Sequence, residues 1–581
     1  MRVRIVSVDP AFRKLTIIAK DPGLRIGGKN GPMAFAQVDV AAEKLAKGPT
    51  GYRIKVVDYN ATDRVAYRDE QNYQSATGEL IDPFAPREGE TLLDPVFQAR
   101  LIGDPNFHAQ NVYAIAMRTL ARFEAVLARR IGWSFASGHQ LNIVPHAFAQ
   151  ANAFYSEPDR TLMFGYFRNA DGEPIFTALS HDIIVHETTH AVLDGLRSQL
   201  SEPSGPDQAA FHEGFADIVA LLSVFAMESV VAAAIGEDAS FARDDRRISL
   251  VDPAKLEPGA IKASILLGLA GQVGTAMEDG RRDALRRSIQ LDPSQIDLAS
   301  NDEHDRGELI VAAVMNAFLD LWLRRIAEFG SFDGRYNLSA VVAEGASVAE
   351  QILKMCIRAL DYCPTTDLEF SQYLAALLTA DRELVPDDGR FGYRSSIRDS
   401  FAKYGISTPP ECDVDGCWPR FEAPDSISRD RSNFVAMTRY RDELFRFIWE
   451  NRELLGLSAR ADTQVLGIDA VTRAGPDGIQ LTETICQYSQ RVDLFGAEIE
   501  WILGTKRPPG IATSTRLTAF GGGVLVLDQF GQLKYHIANP LDGGSRQAKR
   551  LEYLVETGGL DARGSGERMR FALYHLDRMG A

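Results

Sequence analysis

The run His181-Asp182-Ile183-Ile184-Val185-His186-Glu187-Thr188-Thr189-His190-Ala191-Val192 holds an HExxH in an apolar frame, and Glu213 follows in Phe211-His212-Glu213-Gly214-Phe215-Ala216-Asp217. Residues four apart project from one face of a helix, so His186 and His190 can aim two imidazoles at one ion. Glu187 then stands beside the ion, not on it. One large class of hydrolytic zinc sites takes two histidines and a carboxylate and keeps its fourth position for a water whose pKa falls to about 7. Glu187 is placed to take that water's proton. The flanking Ile183, Ile184, Val185, Ala191, Val192 and Leu193 read as buried helix, where two imidazoles need a partner. A metal supplies one.

The second segment reinforces the first. Glu213 and Asp217 are again four apart, on a stretch with Phe211, Phe215, Ala216, Ile218, Val219, Leu221 and Leu222 that has the pattern of another buried helix. A buried acidic pair requires cations or donors. This reading puts Glu213 on the zinc. Asp217, one turn further, accepts a hydrogen bond from the second nitrogen of a ligand histidine, as metal-bound imidazoles usually require. The plainer alternative, two carboxylates on an exposed helix face, conflicts with the apolar neighbours.

HExxH followed by ExxxD resembles the thermolysin-like gluzincin metallopeptidases, and the resemblance covers about residues 95–406. Asn152-Ala153-Phe154-Tyr155, followed by Met163-Phe164-Gly165, is similar to the family's edge strand, which grips the substrate backbone by strand addition. The resemblance thus assigns Asn152 and Ala153 to substrate binding. Asp283-Ala284-Leu285-Arg286-Arg287-Ser288 is similar to the segment whose arginine holds the substrate carbonyl, a role that falls on Arg286, with Arg282 and Arg287 as competing neighbours. His304, in Asn301-Asp302-Glu303-His304-Asp305-Arg306-Gly307, matches the family histidine that donates to the tetrahedral oxyanion. Such a preorganised donor is worth ~3 kcal/mol of barrier. On its own residues, His304 also reads as a polar neighbour of a helix start.

The chain departs from the family pattern twice. The family's oxyanion-stabilising tyrosine would fall near Leu200, and Ser201-Glu202-Pro203-Ser204-Gly205 offers no phenol. The acidic residue that orients the family's histidine has no clean equivalent, since Asp297 and Asp302 are both off register. The resemblance implies an α+β catalytic domain in which a β-rich lobe and an α-helical lobe meet at the zinc helix. It implies a zinc-dependent endopeptidase acting on peptide or protein substrates, with Glu187 and His304 catalytic.

One alternative is a zinc aminopeptidase-type hydrolase of a sister gluzincin family; its Gly-x-Met-Glu-Asn-type motif would stand where Asn152-Ala153-Phe154-Tyr155 does. Another is a catalytically weak homologue that binds peptide or protein. Family members often bind Ca²⁺ as well. The acidic stretch from Glu237-Asp238 to Asp244-Asp245 is the candidate here, although solvated carboxylates are the default for such runs.

The chain has 581 residues, too many for one ordinary core. Three parts are expected: a β-rich N-terminal domain over 1–94, the metallopeptidase domain over 95–406, and a C-terminal accessory α/β module over 407–581. A formal net charge of −16 argues against nucleic-acid and anionic-membrane partners. Met1 to Pro10 alternates like a strand and lacks the apolar core of a secretory signal, and no window reaches the length of a bilayer span. The expectation is a cytoplasmic protein, with leaderless export as the alternative. Five cysteines, an odd number, favour reduced thiols.

Strands are expected at Val3–Val8, Leu15–Ile18, Ile54–Val57 and within 140–180, and helices over Phe107–Ile131, 181–197, 211–224 and much of 258–381. Cys412-Asp413-Val414-Asp415-Gly416-Cys417 reads as a plain turn. Gly521-Gly522-Gly523 reads as a hinge or strand start, and a hairpin turns at Gln529-Phe530.

Overall fold

Strands and helices come in blocks along the described chain, and the HExxH helix packs against both an edge strand and other helices. The computed structural model describes residues 11–19, 35–67, 71–135, 137–169, 172–201, 204–235, 249–262, 293, 303–422, 426–429, 431–474, 478 and 480–558. The expected strand Val3–Val8 lies outside them. The architecture is α+β.

Strands β1 (Phe12–Ile18) and β2 (Phe35–Ala41) form an antiparallel ribbon. After β3 (Ile54–Val56) come the two-residue pair β4 (Tyr59–Asn60) and β5 (Val65–Ala66), then helices α1 (Pro95–Ile102) and α2 (Pro105–Leu127). The ribbon buries Leu15, Ile17, Val38 and Val40 in the same core as α2. At the start of α2 the Asp104 carboxylate accepts from Asn106 N–H, and Pro105 occupies the first turn, where its missing N–H costs nothing.

The central sheet adds β6 (Leu141–Phe148), β7 (Ala153–Ser156), β8 (Thr161–Arg168) and β9 (Pro174–Phe176). Its order is β3-β6-β8-β7, with β9 pairing the far end of β8. β3, β6 and β8 run parallel, whereas β7 lies antiparallel at the edge.

Helices α3 (His181–Leu196) and α4 (Pro206–Phe225) follow, then the short α5 (Glu228–Ala234). α4 begins five residues before the apolar pattern suggests. Its first turn, Pro206-Asp207-Gln208, is polar, so hydrophobic periodicity misses it, while Pro206 supplies a φ suited to a helix start. Across α4 lies α6 (Glu303–Ala327), and the two approach closely at glycines. A Cβ on Gly214 would stand 2.7 Å from Ile310 Cγ1 and 2.8 Å from the Gly307 carbonyl, and one on Gly307 would stand 2.9 Å from the Ala210 carbonyl. A side chain at either position would push the helices apart. The two-residue β10 (Leu250–Val251) and β11 (Tyr336–Asn337) pair, and α7 (Leu338–Ala359), α8 (Phe370–Leu384) and α9 (Tyr393–Lys403) complete the helical layer.

Beyond residue 410, α10 (Arg441–Glu450) precedes an antiparallel meander of β12 (Asp462–Ala474), β13 (Gln480–Phe495), β14 (Arg516–Asp528) and β15 (Leu533–Asn539). Helix α11 (Gly544–Glu556) follows. Side chains alternate across β14. Val524 and Val526 join the large core shared with the helices, whereas Leu525 and Leu527 pack with Leu444 and Phe447 of α10. Gly521-Gly522-Gly523 is the middle of β14, not a hinge or strand start. A Cβ would stand 2.6 Å from the Leu541 nitrogen at position 521 and 2.5 Å from the Ile537 carbonyl at position 523, so close backbone approach explains the glycines.

An ion network joins this sheet to the helices. Buried Asp361 accepts from Arg129 at 2.9 and 2.6 Å and from Arg473 of β12; Arg473 also reaches Glu483 of β13 at 3.3 Å. Tyr362 O–H donates to Glu483 at 2.7 Å. All five cysteines are free thiols, and Asp413 Oδ1 accepts from the Asp415 and Cys417 N–H groups to close the turn between Cys412 and Cys417. Among the described residues, no single helix is long and apolar enough to cross a membrane.

Candidate metal centre

Helices α3 and α4 pack face to face along the stretch that carries the two motifs. From α3 come His186 and His190, whose Nε2 atoms stand 2.9 Å apart. From α4 comes Glu213, with Oε1 at 3.2 Å from His190 Nε2 and Oε2 at 3.5 Å from His186 Nε2. One donor atom from each residue falls within 4.8 Å of the others, and all three residues are buried.

Asp217, one turn along α4 from Glu213, accepts from His186 Nδ1–H at 2.7 Å. That bond fixes a proton on Nδ1 and turns Nε2 toward Glu213 and His190. Burial disfavours a charged His186, but the carboxylates of Asp217 and then Glu213 outweigh it and raise its pKa to about 10, so a metal ion at Nε2 would take the place of a proton. His190 is also buried. Glu213 only partly offsets that burial and the neighbouring His186, so its pKa is held well below the ordinary value. Two imidazoles and a carboxylate, buried and converging, form a donor set that can hold a metal ion.

Glu187 follows His186 on α3 and is 1 % exposed. Asn152 and Ala153 stand at the start of edge strand β7. Asn152 Oδ1 accepts from Ala153 N–H at 2.7 Å, and its carbonyl accepts from Gly165 N–H at 2.8 Å. The backbone of His304 lies in the first turn of α6, and its side chain lies outside the described residues. Arg286, the acidic stretch 237–245, Asp297 and Asp302 also lie outside them. Leu200, where the family's tyrosine would fall, is buried in a 3₁₀ turn over Ser198–Ser201.

Two contacts escape sequence reasoning. The His212 ring stacks on that of His190, with centroids 4.6 Å apart and planes 12° from parallel. One turn beyond His190, Asp194 Oδ2 accepts from Tyr155 O–H at 2.9 Å and from the Ser134 hydroxyl, tying α3 to β7. The only signal of the second contact in the sequence is the four-residue step from His190 to Asp194. A scan of the chain against protein-family models matches none, and a search of curated proteins finds no match.

Proposed function

We propose that the protein is a zinc-dependent metalloendopeptidase with a thermolysin-like arrangement of its β-rich and α-helical lobes. The observation that carries this reading is the convergence of His186, His190 and Glu213, with Asp217 fixing the tautomer of His186. Two imidazoles and one carboxylate from two rigid helices suit zinc in its catalytic form, with a position left for solvent. Bound zinc supplies Lewis-acid chemistry, lowering the pKa of water to about 7 and polarising a carbonyl.

The chain's own residues do the rest. Glu187 takes the proton of the attacking water and passes it to the leaving amine. His304 and Arg286 donate to the oxygen that gains negative charge at the scissile carbonyl. Edge strand β7 offers its free side to an extended peptide, with Asn152 and Ala153 at its start, and such binding grips backbone irrespective of side-chain sequence.

The test is Glu187→Gln. Casein cleavage should fall by at least about a thousandfold, consistent with loss of a general base, while zinc content stays unchanged. Undiminished cleavage would rule the mechanism out. A sister-family aminopeptidase would cleave only peptides with free N-termini, so equal cleavage of N-acetylated peptides supports the endopeptidase. Leu200 in place of a phenol favours a second reading, a slow homologue that binds peptides. Stoichiometric zinc without turnover of any member of a diverse peptide library would favour it.

A further inference from the structure

A cavity of about 380 Å³ lies where the first turn of α4, the loop before α8 and helix α11 meet. It is separate from the metal centre, although α4 contributes to both. Its wall carries four cationic and five carboxylate side chains. Several are already paired: Arg306 donates to Asp207 at 2.5 Å, Lys549 to Glu369 at 3.2 Å, and Arg550 Nη1 to Asp367 Oδ1 at 2.7 Å. So balanced a wall suits neither a simple anion nor a simple cation.

Three of the wall residues each have a buried polar atom with no hydrogen-bond partner among the described residues: Arg550 Nη2, Asp367 Oδ2 and Ser204 Oγ. Arg550 and Asp367 have side chains only 3 % and 6 % exposed, and Ser204 is 3 % exposed. Buried polar atoms are normally satisfied, and leaving a charged one unmatched is costly. Asp367 also has a left-handed backbone, φ 53°, which non-glycine residues rarely adopt. Its carbonyl is held there by Asn539 Nδ2–H at 3.0 Å and Arg546 Nη1–H at 3.1 Å. Backbone strain held in place by neighbours is a feature of binding sites.

The complement of this wall must present an acceptor to Arg550 and Ser204 and a donor to Asp367. Because Arg550 and Asp367 are themselves bonded at 2.7 Å, its two groups must lie close together. A carboxylate and an ammonium on a single carbon meet that requirement. We propose that the cavity binds a free α-amino acid, its carboxylate on Arg550 and Ser204 and its ammonium on Asp367. Glu552, further along α11 on the same wall, favours a basic side chain.

The test is calorimetric titration of the full chain with L-arginine. Agmatine, which lacks the carboxylate, and N-acetyl-L-arginine, which lacks the ammonium, serve as controls. Saturable binding of L-arginine is expected, at least tenfold tighter than either control. Asp367→Asn keeps a residue type that tolerates the left-handed backbone and should weaken binding at least tenfold. Ser204→Ala removes only a hydroxyl, should weaken binding about threefold, and serves if the first variant does not fold. A wild-type protein with no saturable binding up to about 10 mM, well beyond the millimolar range of weak ligands, would mean that the cavity holds only water and would overturn the proposal. Equal binding of agmatine, or unchanged affinity in a folded Asp367→Asn protein, would overturn it as well.

Discussion

Asp217 touches no point of the proposed metal position, yet it decides which nitrogen of His186 faces that point. Asp217→Ala should lower zinc affinity by roughly 10- to 100-fold, the usual cost of losing a carboxylate behind a ligand histidine. Competition with a chelator of known affinity measures it, and an unchanged affinity would mean that Nδ1 of His186 needs no partner. At this scale the sequence was highly legible. The four-residue steps from His186 to His190 and from Glu213 to Asp217 fix side-chain direction through helical geometry alone. The stack of His212 on His190 was not legible, because it depends on how α3 crosses α4. No local pattern encodes that crossing.

Among the elements, the contact between α4 and α6 is the most exposed to a single change. Gly214 follows the candidate ligand Glu213 directly, and the space its Cβ would need is taken by Ile310 and the Gly307 backbone. Gly214→Ala should therefore destabilise the protein by about 1–3 kcal/mol, the range for overpacking a tight core. Zinc affinity should fall with it as Glu213 is displaced. Thermal melting read beside a metal titration checks both, and a variant as stable and as tight as the parent would show that the helices have slack. Apolar periodicity located α3 and the body of α4 but not the polar first turn of α4. It also gave no hint that Gly521-Gly522-Gly523 lies mid-strand, since those glycines answer to neighbouring backbone distant in sequence.

Over the whole molecule, the sheet of β12 to β15 is fastened to the helices by Asp361. Burial would raise the pKa of this carboxyl, but the guanidiniums of Arg129 and Arg473 outweigh it and hold the value at about 2. An ordinary aspartate in the unfolded chain titrates near 3.9. Its stabilisation, roughly 2–3 kcal/mol, is therefore fully present above that value and is lost as pH falls toward 2. The urea midpoint should drop between pH 4 and pH 2 in the parent protein. In Asp361→Asn this drop should shrink, and stability at pH 7 should be lower because two buried guanidiniums lose the carboxylate they share. Equal acid sensitivity in both proteins would contradict the role given to Asp361. Such a network joins residues more than a hundred positions apart, so composition and local pattern could not reveal it.

The central claim is that two helices bring His186, His190 and Glu213 to a single ion. Its most direct test is the zinc content of the purified chain, by elemental mass spectrometry after exhaustive dialysis against dilute zinc. One zinc per chain is predicted for the parent and for Glu187→Gln, and none for His190→Ala or Glu213→Ala. A parent that binds no zinc, or ligand variants that keep it, would contradict the account.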